Sequence, residues 1–180
     1  MKQDYYTEIQ IPKDVKVSLN GRTLIVEGKK GKLQRTFDYK RVNIKIENNM
    51  IILEVNQGVK RDKTMLYTYE AHIKNMLKGV SEGFVYKMKI VSNHFPISVS
   101  VNNGELIVKN LFGEKNPRKL KLYDDVKVKV EGEFVILEGI DKERVGQQAA
   151  NIEQLCNITN RDRRIFYDGI YIVEKAGKSV

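Results

Sequence analysis

The chain has 180 residues, 41% of them hydrophobic and 31% charged, the balance of a folded globular protein rather than of a disordered or membrane-embedded one. Lys and Arg number 32 against 23 Asp and Glu, a formal net charge of +9, which favours a polyanionic partner through counterion release and long-range steering. The single cysteine, Cys156, excludes an internal disulfide framework and any multi-thiolate metal site, and points to a reducing, intracellular home.

At the N-terminus, Met1 to Glu8 lacks an apolar core of secretory length, and no apolar run in the chain approaches a membrane span, so neither secretion nor insertion is expected. Residues 12–79 then recur over 96–158 with similar punctuation, the signature of an internal repeat. Pro12 falls on Pro96, an interval of 84 residues, and the hairpin signal Asn20-Gly21 falls on Asn103-Gly104. The apolar triplet Leu24-Ile25-Val26 falls on Leu106-Ile107-Val108. Val42 to Glu47 overlays Val126 to Glu131, and Met50 to Glu54 overlays Phe134 to Glu138, both at 84. The first of each pair alternates as a half-buried strand does, and the second is a short apolar run of a more buried strand. Asn48-Asn49 and Glu131-Gly132 join them as hairpins.

Beyond Glu54 the interval drops to 79, since Asp62-Lys63 answers to Asp141-Lys142 and Ile73 to Ile152. The period becomes helical. Met65, Leu66, Tyr69, Ile73, Met76 and Leu77 form one stripe, and Val145, Ala149, Ile152 and Cys156 another, with Asp62 and Asp141 as candidate N-caps. A closing strand is expected after each helix, at Phe84 to Val91 and at Ile170 to Val173. The fold class is therefore α+β: two tandem homologous modules, residues 1–82 and 83–180, each of antiparallel strands packed around one helix. Lys78-Gly79-Val80-Ser81-Glu82-Gly83 is the one plausible hinge.

Catalytic candidates are scarce. His72 and His94 are the only histidines, and neither stands at ligand spacing from another His or Cys. Cys156 lies on the apolar stripe of the second helix, where a thiol serves as a small buried hydrophobe. The glycines of Gly21 to Lys30 are separated by six residues, and Lys30 follows Lys29, which is not the spacing that cradles a triphosphate. Asp124-Asp125 is the only adjacent carboxylate pair and precedes a strand, where a turn or cap is the commoner use. Asn157-Ile158-Thr159 matches a glycosylation sequon that is accidental without a secretory route.

Basic clusters recur in both copies. Lys29, Lys30, Lys32 and Arg35 are expected in the loop after the second strand of the first copy, and Lys115, Arg118, Lys119 and Lys121 in the matching loop of the second. Glycines accompany both, which brings backbone N–H groups close to phosphates. The densest patch is Arg161-Asp162-Arg163-Arg164, between Asn157-Ile158-Thr159-Asn160 and Phe166-Tyr167. Guanidinium groups beside aromatic rings suit structured RNA, by forking onto phosphate or stacking on bases. Part of the patch is also favourable at a helix C-terminus through the dipole alone.

Two stretches resemble a known family. The first is His72-Ile73-Lys74-Asn75-Met76-Leu77-Lys78-Gly79-Val80-Ser81-Glu82-Gly83-Phe84, continuing through Tyr86-Lys87-Met88 to His94-Phe95-Pro96. The second is Arg161 to Phe166 with Asp168-Gly169-Ile170-Tyr171-Ile172-Val173-Glu174-Lys175. With the duplication, they resemble the universal large-subunit ribosomal protein L-six family, called L-nine in eukaryotes, in its archaeal and eukaryotic branch. The resemblance implies two homologous α+β modules and a place near the sarcin-ricin loop and the stalk base, where translational GTPases dock. It implies that the C-terminal module makes most rRNA contacts, with no catalytic activity.

Carried over by position, the resemblance implies RNA contacts at Lys115, Arg118 and Lys119, at Asn160, Arg161, Arg163 and Arg164, and at Lys175 and Lys178. Bacterial members end in a Pro-Glu-Pro-Tyr and Lys-Gly rich segment absent from this chain, so contacts from that branch do not transfer to this tail. The expected partners are large-subunit rRNA and neighbouring large-subunit proteins, on cytoplasmic ribosomes. No cofactor, metal, membrane or small-molecule substrate is expected. The rival reading is a non-ribosomal protein-protein scaffold that uses exposed sheet edges. An RNA-modifying enzyme ranks last, because titratable candidates are so few.

Overall fold

The computed structural model describes residues 2–162 and 164–179, and the chain divides into two compact units, Met1–Gly83 and Phe84–Val180. The first unit opens with β1 (Gln3–Gln10) and continues into an antiparallel meander of β2 (Lys16–Asn20), β3 (Thr23–Gly28) and β4 (Gly31–Thr36). A hairpin of β5 (Asn43–Glu47) and β6 (Met50–Gly58) adds to β1, giving a second sheet of order β1-β6-β5. Period-two alternation places Leu24 and Val26 of β3, and Ile51, Leu53 and Val55 of β6, in one core. Asn48 and Asn49, with φ of 47° and 63°, supply the left-handed pair of residues that lets a two-residue turn follow the twist of its strands.

Helix α1 (Lys60–Ser81) covers this core with Leu66, Tyr69, Ile73, Met76, Leu77 and Val80, the expected stripe extended by one turn. Asp62 is not the N-cap. Val59 holds that position, and Asp62, three residues on, accepts the Val59 N–H at 2.8 Å. A first-turn carboxylate can satisfy an orphan N–H from inside the helix, so the chain enters three residues earlier than a capping aspartate requires. Fully buried, Asp62 also accepts from the Tyr39 hydroxyl and from Arg41 at 3.0 Å. The Tyr39 hydroxyl first, then the Val59 amide, hold its carboxyl below the ordinary range against the opposing effect of burial.

The second unit repeats the plan and extends it. Strand β7 (Phe84–Val91) leads into a meander of β8 (Ser98–Asn102), β9 (Glu105–Lys109) and β10 (Arg118–Lys121), with a short 3-10 turn at Leu111–Gly113. Next come β11 (Val126–Glu131) and β12 (Phe134–Gly139), helix α2 (Lys142–Leu155), and the strands β13 (Gly169–Lys175) and β14 (Lys178–Ser179). The larger sheet has the order β11-β12-β7-β13-β14. Asp141 is the N-cap of α2, accepting the Glu143 N–H at 2.9 Å. Val145, Ala149, Ile152 and Cys156 are buried as expected, and burial pushes the Cys156 thiol up to about 11.

Phe84–Val91 does not close the first copy. It is the middle strand of the second unit's larger sheet, and its counterpart in the first unit is β1. The register shows this: Ile9 pairs with Ile51 and Thr7 with Leu53, while Met88 pairs with Val135 and Tyr86 with Leu137. The helix that precedes β7 obscured the equivalence, because in the linear sequence the strand reads as the end of one copy rather than the start of the next.

Candidate nucleic-acid interface

Three connections of the second unit meet at one end of its sheet: residues 92–97, 110–117 and the described part of 156–168. Asp168 fastens the first to the third. Its fully buried carboxylate accepts the His94 N–H at 2.9 Å and lies 3.1 Å from His94 Nδ1. An ionised carboxylate only accepts, so Nδ1 carries the proton in this contact. Burial alone raises the Asp168 carboxyl, but the His94 and Asn93 amides and the His94 ring outweigh it and hold the group below its ordinary range. The Asn110 side-chain amide donates to the Pro96 carbonyl at 3.0 Å, joining the second connection to the first.

Arg118 closes the triangle. One terminal nitrogen donates to the carbonyls of Leu155 and Asn157, at 2.6 and 3.0 Å, where α2 leaves carbonyls without helical partners. The rest of the fork grips Glu114 at 2.9 and 2.6 Å, and this contact lowers the Glu114 carboxyl and raises the guanidinium. The side chain anchors the 110–117 connection to the end of the helix, and most of its donors are already engaged.

On this frame stands a stack. The His94 and Phe166 rings lie 5.2 Å apart and nearly parallel, and Phe112 approaches both at 5.7 and 5.8 Å. The Arg161 guanidinium sits 4.9 Å from the centre of the Phe166 ring. Phe95, Ile165 and Tyr167 are exposed among the same connections. Rings that offer their faces beside a delocalised cation can take an unstacked base, while neighbouring ammonium groups meet phosphates.

The structure brings five of the sequence-predicted contact residues to this end: Lys115, Arg118, Asn160, Arg161 and Arg164. Lys115, Asn160 and Arg161 are exposed. Arg164 is exposed too, yet Asp162 holds it through both Nε and Nη2, the latter at 2.7 Å. Arg163 lies outside the described residues. Lys119 is exposed on β10. Lys175 and Lys178 flank the Ala176-Gly177 turn, and β13 runs from Gly169 opposite Val91 to Lys175 opposite Tyr86. They therefore lie roughly 17–20 Å along the strand from its Gly169 end, at about 3.3 Å per residue, and form a separate patch at the other end of the sheet.

The two basic clusters read as loops are mostly strand. Lys32 and Arg35 belong to β4, and Arg118, Lys119 and Lys121 to β10. Only the Lys29-Lys30 turn and Lys115 are connections. In the first unit the turn has two residues. Its Lys29 pairs with Asp14, Lys32 pairs with Glu27 at 2.7 Å, and the Lys30 N–H donates to the Val80 carbonyl at 3.0 Å. The turn is therefore bound to α1. The corresponding connection in the second unit has eight residues, 110–117; it carries Phe112 into the stack and leaves Lys115 exposed. His94 and Asp168, 74 residues apart, gave no spacing signal. The sole hints were Pro96, two residues after His94, and Gly169, which follows Asp168.

A sequence model of the family described as Ribosomal protein L6 matches twice, over residues 11–83 and 95–169. The chain belongs to the ribosomal protein L6 family. The double match agrees with two tandem modules. Relatives named large ribosomal subunit protein uL6 are similar over nearly the whole chain. That of Methanococcus vannielii is 48% identical over 171 residues, covering 95% of this chain and 94% of the relative. That of Methanocella arvoryzae is 43% identical over 177 residues, covering 98% and 100%. That of Sulfurisphaera tokodaii is 44% identical over 171 residues, covering 94% and 92%. The family and its archaeal relatives agree with the resemblance read from the two sequence stretches. Among the described residues, no helix is long and apolar enough to cross a membrane, and no three His, Cys, Asp or Glu side chains gather as a metal site.

Proposed function

We propose that the chain is a structural constituent of the large ribosomal subunit in the cytoplasm, holding rRNA near the translation-factor docking region without catalysis of its own. The loop end of the second unit is its principal contact. The observation that carries this reading is the Arg161, Phe166, His94 and Phe112 stack, with His94 held by Asp168, the exposed Lys115 on the same connection as Phe112, and that connection anchored by Arg118. The names of the archaeal relatives support the ribosomal setting, and the resemblance supports the place on the subunit. Lys119, and Lys175 with Lys178, extend the contact as flanking cations. Neighbouring large-subunit proteins complete the environment.

Phosphate contacts position the protein, and the shape of folded RNA together with splayed bases supplies specificity. The test is binding of the full chain to large-subunit rRNA fragments, with hydroxyl-radical footprinting of the complex. Protection clustered at the factor-docking region, lost in the double variant Lys115→Ala with Arg161→Ala, is the expected result. Equal affinity for unrelated structured RNA, or unchanged protection in that variant, refutes the assignment.

A further inference from the structure

The two units differ at one sheet edge. In the second, β7 is paired on both sides, by β12 and by β13. In the first, the equivalent strand β1 pairs with β6 alone among the described strands. The corresponding positions are fixed by register, Ile9 with Met88, and by a shared bond: the Ile11 N–H donates to the Asn49 carbonyl as the Ile90 N–H donates to that of Glu133. Where β13 packs against α2 in the second unit, the first has an open groove of about 420 Å³ between β1 and α1, lined by Ile9, Pro12, Lys74, Leu77 and Ser81 among others.

We infer that this edge and groove form a docking site for one extended protein segment, added antiparallel to β1 with apolar residues at alternate positions against α1. The fold itself displays such an occupant. In β13, Ile170 pairs with Ile90 and Ile172 with Met88, and the fully buried Ile170 closes the core. A segment in the first unit places its equivalent residues opposite Ile11 and Ile9. Main-chain bonding to a free edge supplies affinity, and the alternate side chains supply selectivity. RNA fits poorly, since Glu8 and Glu82 border the groove and its two cations are already held, Lys74 by Glu70 at 2.6 Å and Lys78 by Glu82 at 3.7 Å. A second copy fits poorly as well, because β1 paired antiparallel to itself about Tyr6 sets Glu8 against Asp4 on both sides, opposing like charges.

The test uses the full chain with an added N-terminal extension, the sequence Gly-Ile-Tyr-Ile-Val-Glu-Lys of β13, joined by a flexible Gly-Ser linker that raises its effective concentration. Amide hydrogen exchange at residues 3–10 is expected to slow by roughly tenfold or more, and not to slow when the two isoleucines of the extension are replaced by lysine. Four outcomes overturn the inference. Exchange is unchanged. The lysine-bearing extension protects equally. The parent chain protects β1 as it dimerises in sedimentation equilibrium. An rRNA fragment protects β1 in the parent chain. Binding of rRNA by the second unit is unaffected in either direction, so this inference stands or falls apart from the proposed function.

Discussion

The side-chain carbonyl of Gln148 accepts the backbone N–H of Tyr123 at 3.0 Å, within the buried core of the second unit. The first unit makes the same connection with different chemistry: the Tyr39 N–H donates to the Tyr69 hydroxyl at 2.9 Å. Tyr39 and Tyr123 keep the interval of 84, and Tyr69 and Gln148 that of 79. Each N–H lies in the bend that leads from the meander to the hairpin, so the helix supplies an acceptor that neither sheet can. Removing it strands a partly buried donor, which costs about 1–3 kcal/mol. Tyr69→Phe is expected in that range. Gln148→Leu is expected near its lower end, because Gln148 Nε2 itself has no partner among the described residues and its loss offsets part of the cost. Urea unfolding followed by circular dichroism and tyrosine fluorescence checks both, as the chain has no Trp.

Salt dependence tests the interface. Of the described residues predicted to contact RNA, five cations make none of the ion pairs that hold Arg118 and Arg164: Lys115, Lys119, Arg161, Lys175 and Lys178. If each neutralises one phosphate, log affinity for rRNA falls with log salt at a slope of roughly 3.5 to 4.5. Lys115→Ala is expected to lower the slope by about one. A flat response in filter binding between low and physiological salt defeats the electrostatic account.

Arg118 and Arg161 are separable. Arg161→Ala removes a cation from the surface of the stack, so affinity falls and the fold holds. Arg118→Lys keeps the charge but loses the fork that joins Glu114 to the carbonyls of Leu155 and Asn157, and an ammonium cannot reproduce that geometry. The expected result is a lower melting temperature with an almost unchanged salt slope. If Arg118→Lys leaves the melting temperature alone, its anchoring role is refuted.

The aromatic rings predict a contribution that salt does not screen. Phe166→Ala is expected to weaken rRNA binding by about 1–3 kcal/mol, the usual worth of a base stacked on a ring, at an unchanged salt slope. The same substitution with a changed slope and no loss at low salt means that the ring only positions Arg161.

Acid should loosen both units. Asp62 and Asp168 have carboxyls held lower in the folded chain than in the unfolded one. Their stabilisation is therefore complete above the unfolded value, about 3.9, and is lost as pH falls through the lower folded value. Below that unfolded value the unfolded chain binds more protons than the folded one, so stability rises with pH there and levels off above it. Asp168→Asn is expected to lower stability at neutral pH and to flatten part of the acid limb, as thermal melts from pH 2 to 7 measure.

Much of the architecture was legible because it is carried by local rules. The hairpin turns fell where Asn and Gly permit positive φ, and the stripes of α1 and α2 where apolar spacing put them. The duplication announced the two modules. What stayed hidden depends on contacts remote in sequence. The short β10, with two exposed lysines among its four residues, reads as a charged loop until it pairs with β9. Gln148 breaks the apolar stripe of α2, and only the Tyr123 N–H explains it. The separation of Lys175 and Lys178 from Arg161 follows from the length of β13, which no motif encodes.

The bond between Asp168 and His94 has a consequence for the order in which the protein matures. During synthesis His94 leaves the exit tunnel long before Asp168 is translated, and until then the 92–97 connection lacks the carboxylate that fixes it. A nascent polypeptide can thus complete its first unit, and most of the second, while the loop end of the second unit is still unassembled. The loop end of the second unit is therefore fastened only after residue 168 has been made, and the two partners of the bond meet late in synthesis.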